Sequence, residues 1–254
     1  MESQSRTRRI LAIDIGGSHV KVLLSGLKPG DSERRMDSNP RLTPAQMVRG
    51  VRAMTRDWRF DAVAIGYPGV VSHGQPSVEP HNLGKGWVRF DYARALGKPV
   101  RIVNDAAMQA IGSYEGGRML FLGLGTGLGS AMILNGVIAP LELGHLPYRK
   151  NRTFEEFVGI AGLARLGRKR WREAVFDVVE RLRAALEVEY VVLGGGNLAK
   201  LKALPPGTRA GDNTNAFTGG FRLWTREPWA SDLEHTAAPH RPRRSRSKQA
   251  KEIR

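Results

Sequence analysis

Leu120–Leu134, LFLGLGTGLGSAMIL, decides how the rest of the chain is read. Two apolar runs, Met119–Leu122 and Ser130–Leu134, flank glycines at alternate positions: Gly123, Gly125, Gly127 and Gly129. Glycine permits positive φ and carries no Cβ, so such a loop folds tightly and lets backbone N–H groups approach an anion. An apolar run follows the loop and is rich enough in Ala, Met, Ile and Leu to continue as a strand, which predicts a strand–loop–strand hairpin. A dinucleotide fingerprint needs G-x-G-x-x-G opening a helix, and a P-loop needs Gly-x-Lys-Ser/Thr; neither is present.

Composition narrows the class further. A chain of 254 residues, 41% hydrophobic, suits one large domain or two small lobes. No apolar run approaches the roughly 18 residues of a membrane helix. The opening MESQSRTRR has no hydrophobic targeting region, so the expectation is a cytoplasmic protein with no membrane partner. The absence of cysteine excludes disulfides, thiolate metal sites and cysteine nucleophiles. The formal charge of +16 predicts attraction to a polyanion. Part of it sits in PHRPRRSRSKQAKEIR, residues 239–254, whose composition reads as a disordered basic tail. Removing that stretch leaves about +10, so the folded part is basic too. A solubilising surface and a phosphate-rich ligand both fit.

Working outward, Ile10–Ile15 (ILAIDI) reads as a buried strand and Val20–Leu24 as its hairpin partner, joined by Gly16-Gly17-Ser18-His19. Asp14 ends the apolar strand, where a carboxylate is costly unless paired or near a cation; it could equally cap the turn. Residues 26–43 read as loop, and Thr43-Pro44 starts a helix over Ala45–Trp58. Asp61–Ile65 is a further strand that breaks into Gly66-Tyr67-Pro68-Gly69. Residues 72–90 read as loop, with Asn82, Lys85 and Trp87 in a usual place for ligand contacts. Val100–Val103 is a strand that hands Asn104-Asp105 to a helix over Ala106–Tyr114. An acid at a helix start stays ionised and can serve as a general base, or it can simply be an N-cap.

Beyond the central hairpin, Glu142-Leu143-Gly144-His145 sits on a turn after Pro140, able to bind a polyol or to form a plain surface pair. Thr153–Glu156 resembles a capping box. Trp171, Val175, Val178, Val179, Leu182 and Leu186 recur at helical spacing; the accompanying Arg165, Arg168, Lys169, Arg170 and Arg172 form either a solvated face or an anion groove. Glu189–Leu193 is a strand, and Gly194-Gly195-Gly196-Asn197 opens a helix over Leu198–Leu204, offering free N–H groups to a phosphate. Asn213–Leu223 is a last helix.

The order of these features carries more than any one of them. Asp14–Lys21, Tyr67–Gly74 (YPGVVSHG), Asn104-Asp105, Leu122–Ala131, Glu142–Leu146, Gly194–Gly196 and Asn213–Gly220 together resemble the ROK family within the actin-like ATPase and sugar kinase superfamily, and most closely its polyphosphate glucokinase branch. The resemblance spans roughly residues 9–224. It implies an α/β, two-lobed actin-like ATPase (ribonuclease H-like) fold with an interlobe cleft. Its small lobe is residues 1–105 with the helix near 213–224, its larger lobe 106–212, followed by the basic tail over 225–254. It implies glucose phosphorylation at the 6-hydroxyl, polyphosphate or ATP as donor, Mg²⁺ and a homodimer.

By the same resemblance, Asp14 organises Mg²⁺, and Gly16, Gly17, Ser18 and Lys21 meet the phosphoryl donor. Gly125, Thr126 and Gly127 form a second phosphate loop, and Gly194, Gly195 and Gly196 match the adenosine motif. Gly69, Asn104, Glu142 and His145 hold sugar hydroxyls, and Asp105 takes the proton from the attacking one. A further sugar-contacting glutamate falls on Glu155 or Glu156. Most family members carry a Cys-rich zinc motif after the Glu-x-Gly-His turn; this chain has no cysteine, so no structural zinc is expected. Two rivals remain: a sugar or phosphate sensor without chemistry, and a nucleic-acid binder acting through the tail, though no specific nucleic acid is expected.

Overall fold

The computed structural model describes residues 8–28 and 32–225; the proposed basic tail over 239–254 lies outside them. The chain opens with β1 (Ile10–Ile15), which is apolar throughout apart from Asp14 and becomes a central strand. It returns antiparallel as β2 (His19–Leu24), with Asp14 directly opposite Lys21. Residues read as loop hold an edge strand, β3 (Arg34–Asp37), whose sequence RRMD carries no apolar alternation. Edge strands favour such charged side chains because charge discourages pairing with another chain.

Helix α1 (Pro44–Met54) starts as expected, with Thr43 and Gln46 forming a reciprocal capping box and Pro44 at the first position. It ends at Met54, four residues before Trp58, and is capped by Thr55, whose hydroxyl donates to the Val51 carbonyl (2.8 Å). Strand β4 (Ala62–Tyr67) is buried along its whole length. A two-stranded ribbon, β5 (Val71–Ser72) and β6 (Gln75–Pro76), follows. Then come α2 (Tyr92–Leu96), β7 (Val100–Asn104) and α3 (Asp105–Ser113).

The second half repeats the plan. The central hairpin is β8 (Arg118–Leu124) and β9 (Leu128–Leu134), extended by β10 (Val137–Leu141). Helices α4 (Phe154–Val158) and α5 (Ile160–Leu186) lead into β11 (Tyr190–Gly194), β12 (Thr208–Ala210) and α6 (Asn215–Arg222). The two five-stranded sheets run β3-β2-β1-β4-β7 and β10-β9-β8-β11-β12. Each has two antiparallel pairings followed by two parallel ones. One topology therefore occurs twice, although the sequence shows no repeat. Parallel strands place their carboxyl ends on one side, which is where ligands bind in α/β sheets.

Packing is layered. Helices α1 and α2 cover one face of the first sheet with Trp87, Tyr67 and Tyr92, and α4 and α5 cover the outer face of the second with Trp171 and Phe157. Between the sheets, α3 and α6 share a core made of Ala62 and Ala64 from one sheet and Met119, Phe121 and Ile133 from the other. The two middle helices touch backbone to backbone. A Cβ on Gly112 would strike the Asn215 carbonyl, and one on Gly219 would strike the Met108 carbonyl.

Two further expectations from sequence do not hold. Trp87 is fully buried against Tyr67 (centroids 6.0 Å apart), so its side chain belongs to the core and is not open to a ligand. The helix expected over Leu198–Leu204 is one 3-10 turn, Leu198–Lys200. Pro205-Pro206 leave too few residues between them and the glycine triplet for a stable α-helix.

Candidate active site

Asp14 lies at the carboxyl end of β1, in register with Gly66 on the neighbouring parallel strand β4. Tyr67 pairs in turn with Asn104 on β7, so Asp105 emerges one step further along the same edge. Gly66 is the spacer that permits this. A Cβ there would collide with Met108 and come within 3.5 Å of the Asp105 Cα.

Asn104, and not Asp105, is the N-cap of α3. Its side-chain oxygen accepts from the Ala107 N–H (3.1 Å) and its amide donates to the Gly69 carbonyl (3.1 Å). Asp105 is thereby released from capping, although one of its oxygens accepts from the Ala106 N–H (2.8 Å). Both aspartates are only half-buried, yet loss of hydration dominates their titration. Burial pushes Asp14 up to about 6, with Lys21 opposing and Glu33 reinforcing the rise. Burial, then the charge of Asp14, pushes Asp105 up to about 7; Glu142 adds to this and the Ala106 N–H opposes it. Asp14, Asp105 and Glu142 therefore share one electrostatic neighbourhood. A carboxylate poised near neutrality in such surroundings is a functional-site signature.

The Gly16–His19 turn is closed by Gly16 N–H donating to the His19 carbonyl (2.9 Å). Ser38, just after β3, fastens it: its hydroxyl donates to the Gly16 carbonyl (2.6 Å) and its N–H to the Ser18 carbonyl (2.9 Å). Gly17 and Ser18 are exposed, and a Cβ on Gly17 would come within 3.5 Å of the Asn82 Cβ. Lys21 is held beside Glu33 (3.7 Å).

In the central hairpin only Gly125, Thr126 and Gly127 form the loop; Gly123 and Gly129 are paired within the strands. The expectation of positive φ is not met, since none of these four glycines, nor Gly16 or Gly17, has one. Their role is the missing Cβ. A Cβ on Gly127 would collide with the Glu155 carboxylate, and one on Gly129 would lie 3.1 Å from the Ala106 Cβ, whereas Gly125 faces open space. Of the glycine triplet, Gly195 alone has a positive φ (84°), and it abuts the Leu124 backbone. Buried Asn197 ties triplet to loop: its amide donates to the Gly125 carbonyl (2.8 Å), its N–H donates to the Leu124 carbonyl (2.9 Å), and its side-chain oxygen accepts from Lys200. The two glycine loops thus form one continuous surface at the carboxyl ends of β8 and β11.

Glu142 and His145 are exposed on a single 3-10 turn, Leu143–His145. Buried Ser130 on β9 fixes the turn, donating to the Leu141 carbonyl (2.8 Å) and accepting from the Leu143 N–H (3.1 Å). Gly144 lets the turn lie against β9 and Glu155: a Cβ there would be 3.0 Å from the Leu128 carbonyl oxygen and 3.3 Å from the Glu155 Cβ. The two neighbouring glutamates of α4 separate clearly. Glu156 completes a capping box with Thr153 and pairs with Arg152 (3.1 Å), whereas Glu155 points at Gly127 and Gly144. Sequence reasoning passed over Ser38, Ser130 and Asn197; a polar side chain in or beside an apolar run was the available signal for the last two.

Of the basic residues on α5, Arg165 donates to the Glu156 carbonyl (2.8 Å) and Arg172 to that of Lys200 (2.8 Å). Arg168, Lys169 and Arg170 are exposed around a kink at Gly167 (φ 72°). A cavity of about 560 Å³ lies beside them, lined by Lys169, Arg172, Phe176 and Lys202, but also by Glu173, Asp177 and Glu180. Its lining includes none of Asp14, Asp105, Glu142 and Glu155. Among the described residues, no helix is long and apolar enough to cross a membrane.

Known proteins resemble this chain in sequence and fold. The chain is 27% identical over 209 residues to the polyphosphate glucokinase of Mycobacterium tuberculosis, covering 74% of this chain and 78% of that one. Its fold matches the inorganic polyphosphate/ATP-glucomannokinase of Arthrobacter sp. strain KM with a TM-score of 0.70 at 24% identity, over 84% of this chain and 97% of that one. It also matches a ROK family glucokinase from Streptomyces griseus, solved with glucose and AMPPNP, with a TM-score of 0.65 at 15% identity, over 85% and 98%. These neighbours have the actin-like ATPase fold of the ROK sugar kinases, and the twice-used sheet topology is that fold. The ROK family profile itself matches residues 10–153, from β1 through the Glu142–His145 turn to the start of α4, which is more than half of the chain and includes both aspartates and the first glycine loops: the chain belongs to the ROK family.

Proposed function

We propose that this protein is a hexose kinase that phosphorylates glucose at its 6-hydroxyl, with inorganic polyphosphate, ATP or both as donor. The observation that carries the reading is Asp105: half-buried, freed from capping by Asn104, and held near neutrality by burial and by Asp14. A base with that affinity for a proton suits removal of one from a hydroxyl as phosphorus arrives. Phosphoryl transfer asks the protein mainly for positioning and charge neutralisation, which suits backbone loops and one base.

Gly69, Asn104, Glu142, His145 and Glu155 would orient the sugar hydroxyls. Gly16, Gly17, Ser18 and Lys21 on one sheet, and Gly125, Thr126 and Gly127 on the other, would grip the donor. Gly194, Gly195 and Gly196 would receive its distal part. The donor set suits Mg²⁺, which keeps several waters and takes one or two carboxylates together with substrate phosphates. Among the described residues no group of three or more His, Asp or Glu forms a metal cage of its own. Asp14 would hold the ion, which when bound supplies charge neutralisation at the phosphoryl oxygens. Residues 1–105 with the helix near 213–224, and residues 106–212, would act as lobes that close over the sugar and exclude water. The basic surface and the names of the relatives support polyphosphate as donor.

The test is direct. Purified protein with glucose and Mg²⁺ is given polyphosphate or ATP, and glucose 6-phosphate is measured. Turnover with polyphosphate is expected. Turnover with ATP alone would retire the polyphosphate donor, and glucose binding without turnover from either would make the protein a sensor. A second result follows from Gly125, whose Cβ position is open and whose φ is ordinary. Gly125→Ala should leave the melting temperature within about 2 °C, because only an exposed methyl is added. The same methyl obstructs the loop N–H groups, so the donor KM should rise by about tenfold, the loss of one good charged hydrogen bond.

A further inference from the structure

We propose that Tyr148 and Asp177 are positioning residues for the sugar, holding His145 and Glu155 at their working separation through the hairpin between them. The proposal rests on the kinase reading above. His145 ends one 3-10 turn and Glu155 opens α4, and the intervening residues 146–153 fold back on themselves. Phe154 N–H donates to the Leu146 carbonyl (3.0 Å), Tyr148 N–H to that of Arg152 (2.7 Å), and Arg152 N–H to that of Arg149 (3.1 Å). Pro147 and Thr153 bridge antiparallel. The turn residues Lys150 and Asn151 both have positive φ (54° and 55°), the backbone of a tight two-residue hairpin. The two sugar-facing residues therefore leave from the two ends of one small ribbon, and a rotation of that ribbon moves both.

A two-stranded ribbon of this size has little stability of its own. Its anchor is Tyr148, whose ring packs edge-on against Phe157 (4.8 Å) and tilted against Phe154 (5.3 Å). The phenol donates to Asp177 on α5 (2.6 Å). Asp177 also takes Arg149 of the ribbon (3.2 Å) and Arg181 one helical turn further on (2.8 Å), and both guanidiniums lie over the Tyr148 ring. Hydrogen bonds to a charged acceptor are the strong ones, so this is a firm attachment. The electrostatics agree. Burial and Asp177 push Tyr148 up to about 12, while Asp177 stays below the usual carboxylate range because Arg181 and Tyr148 outweigh its burial. Helix α5 is itself a fixed reference, since buried Trp171 donates to the Val158 carbonyl (2.8 Å). The chain from Glu142 to Glu155 is thus held at Ser130 on one side and at Asp177 on the other.

The test uses the full-length protein and two variants. Tyr148→Phe keeps the ring packing and deletes the phenol; Asp177→Asn keeps an acceptor and deletes the charge. Glucose and donor KM values are measured separately, and glucose affinity is measured by calorimetry without donor. Both variants should raise the glucose KM and Kd by about tenfold, within the losses expected from sub-ångström misplacement of binding groups. The donor KM should stay within about twofold, and the double variant should lose less than the sum of the two single losses, since both variants weaken the same anchor. A purely structural contact predicts lower melting temperatures with the sugar constants unchanged, or sugar and donor constants rising together; either result overturns the proposal. If wild type binds glucose without turning it over, the Kd values still decide. Wild type that neither binds nor phosphorylates a hexose would remove the kinase reading, and this proposal with it.

Discussion

Asp105→Asn is expected to slow phosphoryl transfer by at least about a hundredfold and, at pH 8, to make the protein harder to melt. The first effect is loss of the base: kcat should fall by about 10²–10⁴ with the glucose KM little changed, because the amide keeps the shape and the Ala106 hydrogen bond faces a carbonyl oxygen instead of a carboxylate one. The second effect follows from linkage. The folded protein holds the Asp105 proton up to about pH 7, whereas the unfolded chain releases it near 3.8. A raised carboxyl pKa means that stability is highest below the unfolded value, declines as pH rises from about 4 to 7, and is flat above that.

A rise from 3.8 to about 7 corresponds to about 4 kcal/mol. Solvent screening of a half-buried carboxyl, and its coupling to Asp14, reduce this to about 1–3 kcal/mol. Asparagine carries no charge and escapes that cost. In magnesium-free buffer the melting temperature should therefore rise by about 3–8 °C at pH 8 and change little at pH 4. The measurement is a pair of melting curves at the two pH values. An equal shift at both, or a fall at pH 8, would show that Asp105 carries no electrostatic strain and would undercut its assignment as the base.

The second large effect belongs to the fold. Gly219→Ala and Gly112→Ala should each destabilise the protein by about 3 kcal/mol or more, because the new methyl meets a backbone carbonyl that cannot move aside as a side chain could. For a chain of this size that is a drop of about 6–12 °C in melting temperature. The contrast with Gly125→Ala is instructive, since one substitution acts through packing and the other through ligand approach. A methyl tolerated at either helix position, read by urea titration, would mean that α3 and α6 can separate, and that the two sheets do not depend on their contact.

Much of the architecture was legible because strong local signals announce it. The apolar runs of β1, β4, β8 and β11 read as buried strands, and Thr43-Pro44 with Gln46 marked the start of α1. The segments missed were those whose burial is partial. Strand β3 is charged, β10 carries Pro140 and an exposed Val137, and α2 is five residues long. The glycines stand out in sequence for an incomplete reason. Positive φ is a local property, but at Gly66, Gly127 and Gly129 the need is for empty space beside a residue from another element, which no local pattern encodes. Glu155 was separable from Glu156 in principle, since a capping box at Thr153 uses up the latter. Trp87 shows the opposite error: a polar loop around it hid a side chain that packs into the core.

By itself the sequence determined which strongly apolar or well-capped segments become strands and helices, the order of the loops that carry chemistry, and membership of a family. Those are properties of near neighbours along the chain, set by periodicity, capping and turn residues. The tertiary structure alone decided that burial, Asp14 and Glu142 raise the proton affinity of Asp105, and that the ribbon between His145 and Glu155 is tied to α5. Those depend on distances between residues far apart in sequence and on how much water folding removes around them, and neither quantity exists until the two sheets have closed on α3 and α6.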